Sequence, residues 1–130
     1  MSCPVLAIDP GREKCGVAVL ATDGRILVQE VVVTAELDAV VGALIAAYTP
    51  IVIMGNGTTS AAAKARVEAL GYEVILVDEY RTTDEAKHAY WEAHPPRGWR
   101  RLVPRGMLVP PVSVDDFVAV ILAQRFLQIV

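Results

Sequence analysis

Apolar residues in the first part of the chain follow the pattern of β-strands. Residues 4–8 form an unbroken apolar run, which is typical of a strand buried on both faces. Residues 15–21 predict a second strand and residues 26–34 a third. The Asp23-Gly24 pair between the last two runs is a hairpin signal. The chain is therefore expected to begin with a three-stranded meander.

Residues 35–48 show helical spacing instead. Their apolar side chains recur at intervals of three and four residues, as on one face of a helix; they are Leu37, Val40, Val41, Leu44 and Ile45. Short apolar runs and helical patterns alternate after this point. Strands are predicted over residues 51–54 and 73–77, and helices over residues 61–70, 82–92 and 114–129. Gly71 is expected at C′ of the first of these helices, and Ser113 is a plausible N-cap of the last. A proline-rich irregular segment, residues 94–111, precedes the last helix.

This order of elements, β-β-β-α-β-α-β-α-α, predicts an α/β fold. A meander followed by two α-β crossovers implies a mixed five-stranded sheet with helices on both faces. The 130 residues are expected to form one domain, residues 1–130, with enough core to fold without disulfides.

Composition points to a cytoplasmic protein. No apolar run reaches the roughly 18 uninterrupted residues of a membrane-spanning helix, so no membrane association is expected. The first residues lack the basic region and apolar core of an export signal. Cys3 and Cys15 are expected at opposite ends of a hairpin, too far apart for a disulfide, and as small buried side chains.

Acidic residues lie at the edges of apolar elements. Asp9 ends the first strand, Glu79 follows the fifth, and Asp115 and Asp116 open the last helix. The first strand and the later parallel strands are expected to be neighbours, so their carboxyl ends lie together where α/β sheets bind ligands. Carboxylates gathered there need a proton or a hard cation such as Mg²⁺ or Mn²⁺. Taken singly, each acid also fits a structural role, in a turn, at a strand end or in a first helical turn.

Three segments together resemble the YqgF/RuvX family of ribonuclease H-like nucleases, which is related to the Holliday-junction resolvase RuvC. They are LAIDPGREKCGVAV, VDEYRTTDEAKHAY and VDDFVAVILAQRFL, in the order of the family's motifs. The matching positions are Asp9, Gly11, Gly16, Val17 and Ala18, then Asp78, Glu79, Thr82, Thr83 and Ala86, then Asp115, Ala119, Val120 and, one position early, Leu122. The resemblance covers nearly the whole chain.

The resemblance implies a ribonuclease H-like fold and a divalent metal, Mg²⁺ or Mn²⁺, held by one acid from each motif. It assigns Asp9, Glu79 and Asp115 as the catalytic, metal-binding triad. Helical projection does not separate Asp115 from Asp116, so Asp116 stays as an alternative ligand. Members of the family are implicated in trimming precursor 16S rRNA and were first proposed as junction resolvases. The implied activity is metal-dependent hydrolysis of phosphodiesters in structured RNA or branched DNA.

Two differences from the family pattern lead to an alternative. Tyr80 stands where the family has Arg, and Arg81 follows it. The segment GNGTTS is shorter than the matching loop of many members and resembles the YqgF-like domain of the transcription accessory protein Tex. Such domains are often regarded as non-catalytic. The alternative is therefore a nucleic-acid-binding module without nuclease activity.

The segment GNGTTS carries groups that suit a phosphate. Gly55 and Gly57 let backbone N–H groups approach an anion at a helix N-terminus. The polar candidates for contact with nucleic acid are Asn56, Thr58 and Thr59. The same segment also fits a plain turn with Ser60 as N-cap.

Basic residues form further candidates, although the net charge is −3. The segment PPRGWRRLVPRG places arginines that can neutralise phosphates around a tryptophan that can stack on a base, or packs on the core and pins the loop. Its candidates are Arg97, Trp99, Arg100, Arg101 and Arg105. Arg12 and Lys14, near Asp9, and Arg81 are further candidates for contact with nucleic acid. For Arg12 and Lys14, the alternative is that they are ordinary charged residues of a turn. A junction resolvase would act as a two-fold homodimer, whereas a processing nuclease need not.

Overall fold

The computed structural model describes residues 3–57, 59–78, 82–95 and 114–129. Its strands are β1 Val5–Asp9, β2 Lys14–Leu20, β3 Ile26–Val33, β4 Ile51–Gly55 and β5 Val74–Val77. Its α-helices are α1 Leu37–Tyr48, α2 Ser60–Glu68, α3 Thr82–Ala93 and α4 Asp115–Ile129. The prediction of an α/β fold with a mixed five-stranded sheet is confirmed.

The sheet has the strand order β3-β2-β1-β4-β5. β2 is antiparallel to both β1 and β3, as expected of a meander. β1 runs parallel to β4, and β4 runs parallel to β5. The carboxyl ends of β1, β4 and β5 therefore lie along one edge of the sheet, which we call the carboxyl edge.

Helices cover both faces of the sheet. On one face, Leu6 and Ile8 of β1 pack in a cluster that includes residues of α1 and α2. On the other face, Val5 and Ala7 pack in a cluster that includes residues of α4. All four of these β1 side chains are at most 1% exposed, because the strand lies at the centre of the sheet. This position is the physical reason for the unbroken apolar run.

The ends of two helices differ from the sequence prediction. α1 begins at Leu37 rather than at residue 35, because a short 3₁₀ turn occupies Thr34–Glu36. Ser60 is the first residue of α2 rather than its N-cap. α2 ends at Glu68 rather than at the predicted Leu70, so Gly71, whose φ is +95°, does not directly follow the C-cap residue Ala69 as predicted. Ser113, the N-cap predicted for α4, lies outside the described residues.

The two cysteines are free thiols in different surroundings. Cys15 is buried, as predicted, but Cys3 is exposed, so the prediction of burial is wrong for Cys3. Cys3 comes before β1, and the apolar core begins only at Val5. Among the described residues, no helix is both long and apolar enough to cross a membrane.

Candidate functional site

Asp9 lies at the carboxyl edge, as the last residue of the central strand. In the antiparallel ladder it is the partner of Gly16 on β2. Side chains alternate along a strand, so Asp9 lies on the same face of the sheet as Val5 and Ala7, the face that α4 covers. Asp9 is half-buried, whereas the four preceding residues are buried. The strand thus brings one carboxylate out of the core at the point where it ends.

The first turn of α4 lies directly on Gly16. A Cβ atom added to Gly16 would lie 1.8 Å from the carbonyl oxygen of Asp115 and 2.8 Å from the amide nitrogen of Asp116. No side chain fits at such distances, so the helix reaches this position only because residue 16 is a glycine. Since Asp9 is the ladder partner of Gly16, the structure brings Asp9 and Asp115 to the same corner of the sheet.

Asp115 and Asp116, which helical projection does not separate, differ in their surroundings. Oδ2 of Asp116 accepts a hydrogen bond from Nε2 of Gln29 at 3.2 Å. Gln29 belongs to β3, on the far side of β2 from β1. The carboxylate of Asp116 is therefore held towards β3, away from the strands β4 and β5. This contact favours Asp115 over Asp116 as the acid that shares a corner of the sheet with Asp9.

A tight turn joins β1 to β2 beside Asp9. A Cβ atom on Gly11 would lie 2.1 Å from the carbonyl oxygen of Lys14, so this turn also requires glycine. Arg12 and Lys14 are exposed on it. In the described part of the chain, the ion pairs involve Arg25, Arg66, His88 and Arg125 but neither of these two residues. Two cations thus lie close in sequence to the carboxylate of Asp9.

The segment between β4 and α2 is attached to its neighbours. The backbone N–H of Asn56 donates to the carbonyl oxygen of Val77 at 3.1 Å, which ties the segment to β5. The hydroxyl of Thr59 donates to the carbonyl of Pro10 at 2.9 Å, which ties it to the β1–β2 turn. Thr59, a predicted contact for nucleic acid, therefore uses its only hydroxyl proton inside the protein. Asn56 is exposed next to it.

Several predicted site residues lie outside the described residues. They are Thr58, Glu79, Arg81, Arg97, Trp99, Arg100, Arg101 and Arg105. Of the predicted triad, the structure therefore describes Asp9 and Asp115. Within residues 3–57, 59–78, 82–95 and 114–129, no cluster of three or more His, Cys, Asp or Glu side chains is arranged to hold a metal ion.

Asp9 and Asp115 nevertheless have side chains of the type that hard cations bind. Two carboxylates supply oxygen ligands of the kind that Mg²⁺ and Mn²⁺ prefer. Sequence reasoning missed the contacts that build this corner. The bond from Gln29 to Asp116 has no sequence signal, because it joins residues far apart in the chain. The close approach at Gly16 did have a sequence signal, since a glycine inside a strand often marks a place where another backbone comes near.

Comparison with known protein families gives no match to this sequence, and comparison with curated proteins gives none either. The residues at the carboxyl edge are therefore the features of this chain that point to a function.

Proposed function

We propose that the protein is a metal-dependent endonuclease of ribonuclease H-like fold. Its substrate is structured nucleic acid, either the ends of precursor 16S rRNA or branched DNA such as a four-way junction. The observation that carries this proposal is the contact of the first turn of α4 with Gly16, which brings Asp115 to the corner occupied by Asp9. The mixed five-stranded sheet with helices on both faces supports the proposed fold.

Asp9 and Asp115 are the proposed metal ligands in the described part of the chain. Glu79 is the proposed third ligand, because it follows β5, whose carboxyl end lies at the same edge as that of β1. A bound Mg²⁺ or Mn²⁺ would activate a water molecule and stabilise the leaving oxygen. Asp116 remains the alternative to Asp115 as a ligand, but its bond to Gln29 favours Asp115.

Arg12 and Lys14 are the proposed contacts for the phosphate backbone close to Asp9. Both are exposed and follow Asp9 in the β1–β2 turn. Cationic side chains bind phosphates without regard to sequence, which suits an enzyme that recognises structure. Asn56 and Thr58 in the β4–α2 segment, and the arginines around Trp99, are proposed to extend this surface.

The test is a cleavage panel with precursor 16S rRNA ends and four-way junctions, with Mn²⁺ and with a chelator. We expect cleavage only with Mn²⁺, and its loss in Asp9→Asn and in Asp115→Asn. Both variants should keep or raise the melting temperature, because asparagine keeps the shape of aspartate and removes a charge that the metal is proposed to balance. Glu30→Gln removes an exposed carboxylate from β3 and is the matched control that should cleave normally. Cleavage by Asp9→Asn at the wild-type rate would refute the proposal.

A non-catalytic nucleic-acid-binding module is the second candidate. It is favoured by the short segment between β4 and α2, which is tied to β5 and to the β1–β2 turn. If this candidate is right, we expect tight binding to one of the nucleic acids in the panel and no Mn²⁺-dependent cleavage of any of them. We also expect Asp9→Asn to bind as tightly as the wild type.

A further inference from the structure

The β1–β2 turn, residues 10–13, follows Asp9 directly and lies beyond the hydrogen-bonded ladder of the hairpin. That ladder ends where Asp9 pairs with Gly16. The backbone after Asp9 therefore needs hydrogen bonds from other parts of the chain to hold it in place. Two threonines from outside the hairpin, Thr34 and Thr59, supply it by donating to the first two carbonyls of the turn.

Thr34 holds the turn from the β3 side. Its hydroxyl donates to the carbonyl oxygen of Gly11 at 3.0 Å, and its amide donates to the carbonyl oxygen of Glu13 at 2.9 Å. Thr34 comes directly after β3, where the chain enters the 3₁₀ turn that precedes α1. One residue thus contacts the turn at two points.

The buried thiol of Cys15 closes a ring of hydrogen bonds with Thr34 and Gly11. The amide of Gly11 donates to Sγ of Cys15 at 3.4 Å, and Sγ lies 3.3 Å from Oγ1 of Thr34. The carbonyl oxygen of Gly11 accepts from the hydroxyl of Thr34 at 3.0 Å and lies 3.8 Å from Sγ of Cys15, so either the thiol or the hydroxyl can be the donor in the contact between Cys15 and Thr34. Cys15 is fully buried, so this ring is protected from competing water.

Thr59 holds the turn from the opposite side. Its hydroxyl donates to the carbonyl oxygen of Pro10, the residue after Asp9, at 2.9 Å. Thr59 is the N-cap residue of α2, yet its side chain does not cap that helix. Its hydroxyl contacts the turn instead.

We propose that Thr34, together with Cys15, and Thr59 are positioning residues for the metal site. They hold the backbone on both sides of the turn so that Asp9 and Arg12 keep a fixed relation to the first turn of α4. This inference rests on the proposed nuclease function. Metal ligation and phosphoryl transfer require ligands placed to within about 0.5 Å, and groups behind the ligands commonly provide that precision.

The experiment compares Thr34→Val with Thr34→Ser in the full chain. Valine has nearly the shape of threonine but no hydroxyl, whereas serine keeps the hydroxyl. Thr22→Val is the matched control, since Thr22 is exposed in the turn at the opposite edge of the sheet. Mn²⁺ affinity is measured by titration without nucleic acid, and kcat and KM are measured on the substrate that the wild type cleaves.

We expect Thr34→Val to lower both Mn²⁺ affinity and kcat by about tenfold, at the low end of the effects of groups behind metal ligands, with KM nearly unchanged. Thr34→Ser should restore both values, and Thr22→Val should change neither. A loss of fold stability alone would not lower Mn²⁺ affinity and kcat in a variant that is still fully folded at the assay temperature.

The other possible outcomes bear on either the positioning role of Thr34 or the nuclease proposal. Thr34→Val with wild-type Mn²⁺ affinity and kcat overturns the inference and leaves the nuclease proposal intact. A wild-type protein that neither binds Mn²⁺ nor cleaves overturns the nuclease proposal, and this inference with it, before any variant is made. If Thr34→Val does not fold, Thr59→Val removes the other hydroxyl. A loss of Mn²⁺ affinity there supports the inference, and an unchanged affinity overturns it.

Discussion

At the scale of single residues, the glycines of this chain have different physical roles. Gly16 and Gly11 lie where a Cβ atom would collide with backbone carbonyls at 1.8 and 2.1 Å. Gly24 and Gly71 have positive φ angles with open space around them. Gly42 has neither constraint and lies within α1. Of these five glycines, Gly11 and Gly16 are the ones at the carboxyl edge of the sheet.

Replacing Gly16 with alanine should destabilise the protein by about 2 kcal/mol or more, because a helix backbone must move to admit the methyl group. Gly42→Ala is the matched control. It should stabilise the protein by about 0.5–1 kcal/mol, since alanine favours the helix and meets nothing within 4 Å. Urea denaturation of both variants measures the difference. Equal stability of the two variants would contradict the close contact at Gly16.

Asp23 is predicted to titrate below its usual range. The backbone N–H of Arg25 donates to Oδ1 of Asp23 at 3.0 Å, and this bond is the main reason that the pKa of Asp23 lies below its usual value of 3.8. A lowered pKa in the folded state means that ionised Asp23 stabilises the fold above the usual pKa. This contribution is lost as the pH falls through the lowered value.

Carboxyl NMR titration of the wild type and of Arg25→Ala checks this origin. The variant keeps the backbone N–H, so the pKa of Asp23 should stay below 3.8 after the guanidinium is removed. Return of the pKa to its usual value would show instead that the charge of the guanidinium is the main cause.

At the scale of elements, α4 has the largest part in building the site. Residues 118–123 of this helix are all buried, so the middle of the helix has buried apolar side chains on every side. A helix of this kind has no simple amphipathic pattern, and its rotation cannot be derived from a helical projection. The contacts of its first turn with Gly16 and Gln29 decide which acid lies on which side.

The bond between Gln29 and Asp116 is expected to stabilise the docking of α4 on β3. Gln29→Ala should cost about 1 kcal/mol, because a half-buried carboxylate loses a donor. Asp116→Asn should cost less, since an amide oxygen can still accept the bond. In a double-mutant cycle with Asp116→Ala, the two losses should not add, because both remove the same contact. Additive losses would show that the bond contributes nothing.

At the scale of the whole molecule, the proposed site connects distant parts of the chain. Asp9 comes from the start of the chain, Asp115 from its last helix, and the threonines that hold the turn from the ends of β3 and the β4–α2 segment. Binding of a metal at this corner would join these parts and stabilise the folded state as a whole.

Mn²⁺ at about a hundredfold excess over its Kd should stabilise the wild type by about 2.7 kcal/mol. For a chain of this length that corresponds to a rise of about 8 °C in Tm. Asp9→Asn should lose most of this rise, and Glu30→Gln should keep it. Differential scanning fluorimetry at constant ionic strength measures the shift. An equal rise in the wild type and in Asp9→Asn would place the ion elsewhere.

Local residue patterns were enough to predict the elements of the fold and their arrangement in one sheet. The unbroken apolar run of residues 4–8 predicted a strand buried on both faces, and the alternation of strands and helices predicted the mixed sheet, because hydrophobic periodicity is a local property. The sequence also indicated that Asp9 ends this strand and that Asp115 opens the last helix.

Only the tertiary structure decided how these elements meet. The contact of α4 with Gly16, the bond from Gln29 to Asp116 and the bond from Thr59 to Pro10 join residues distant in the chain. Burial was also misjudged for Cys3, which lies just outside the first buried strand. Such contacts depend on strand register and helix rotation. Both are set by packing over the whole core, which no local pattern of residues contains.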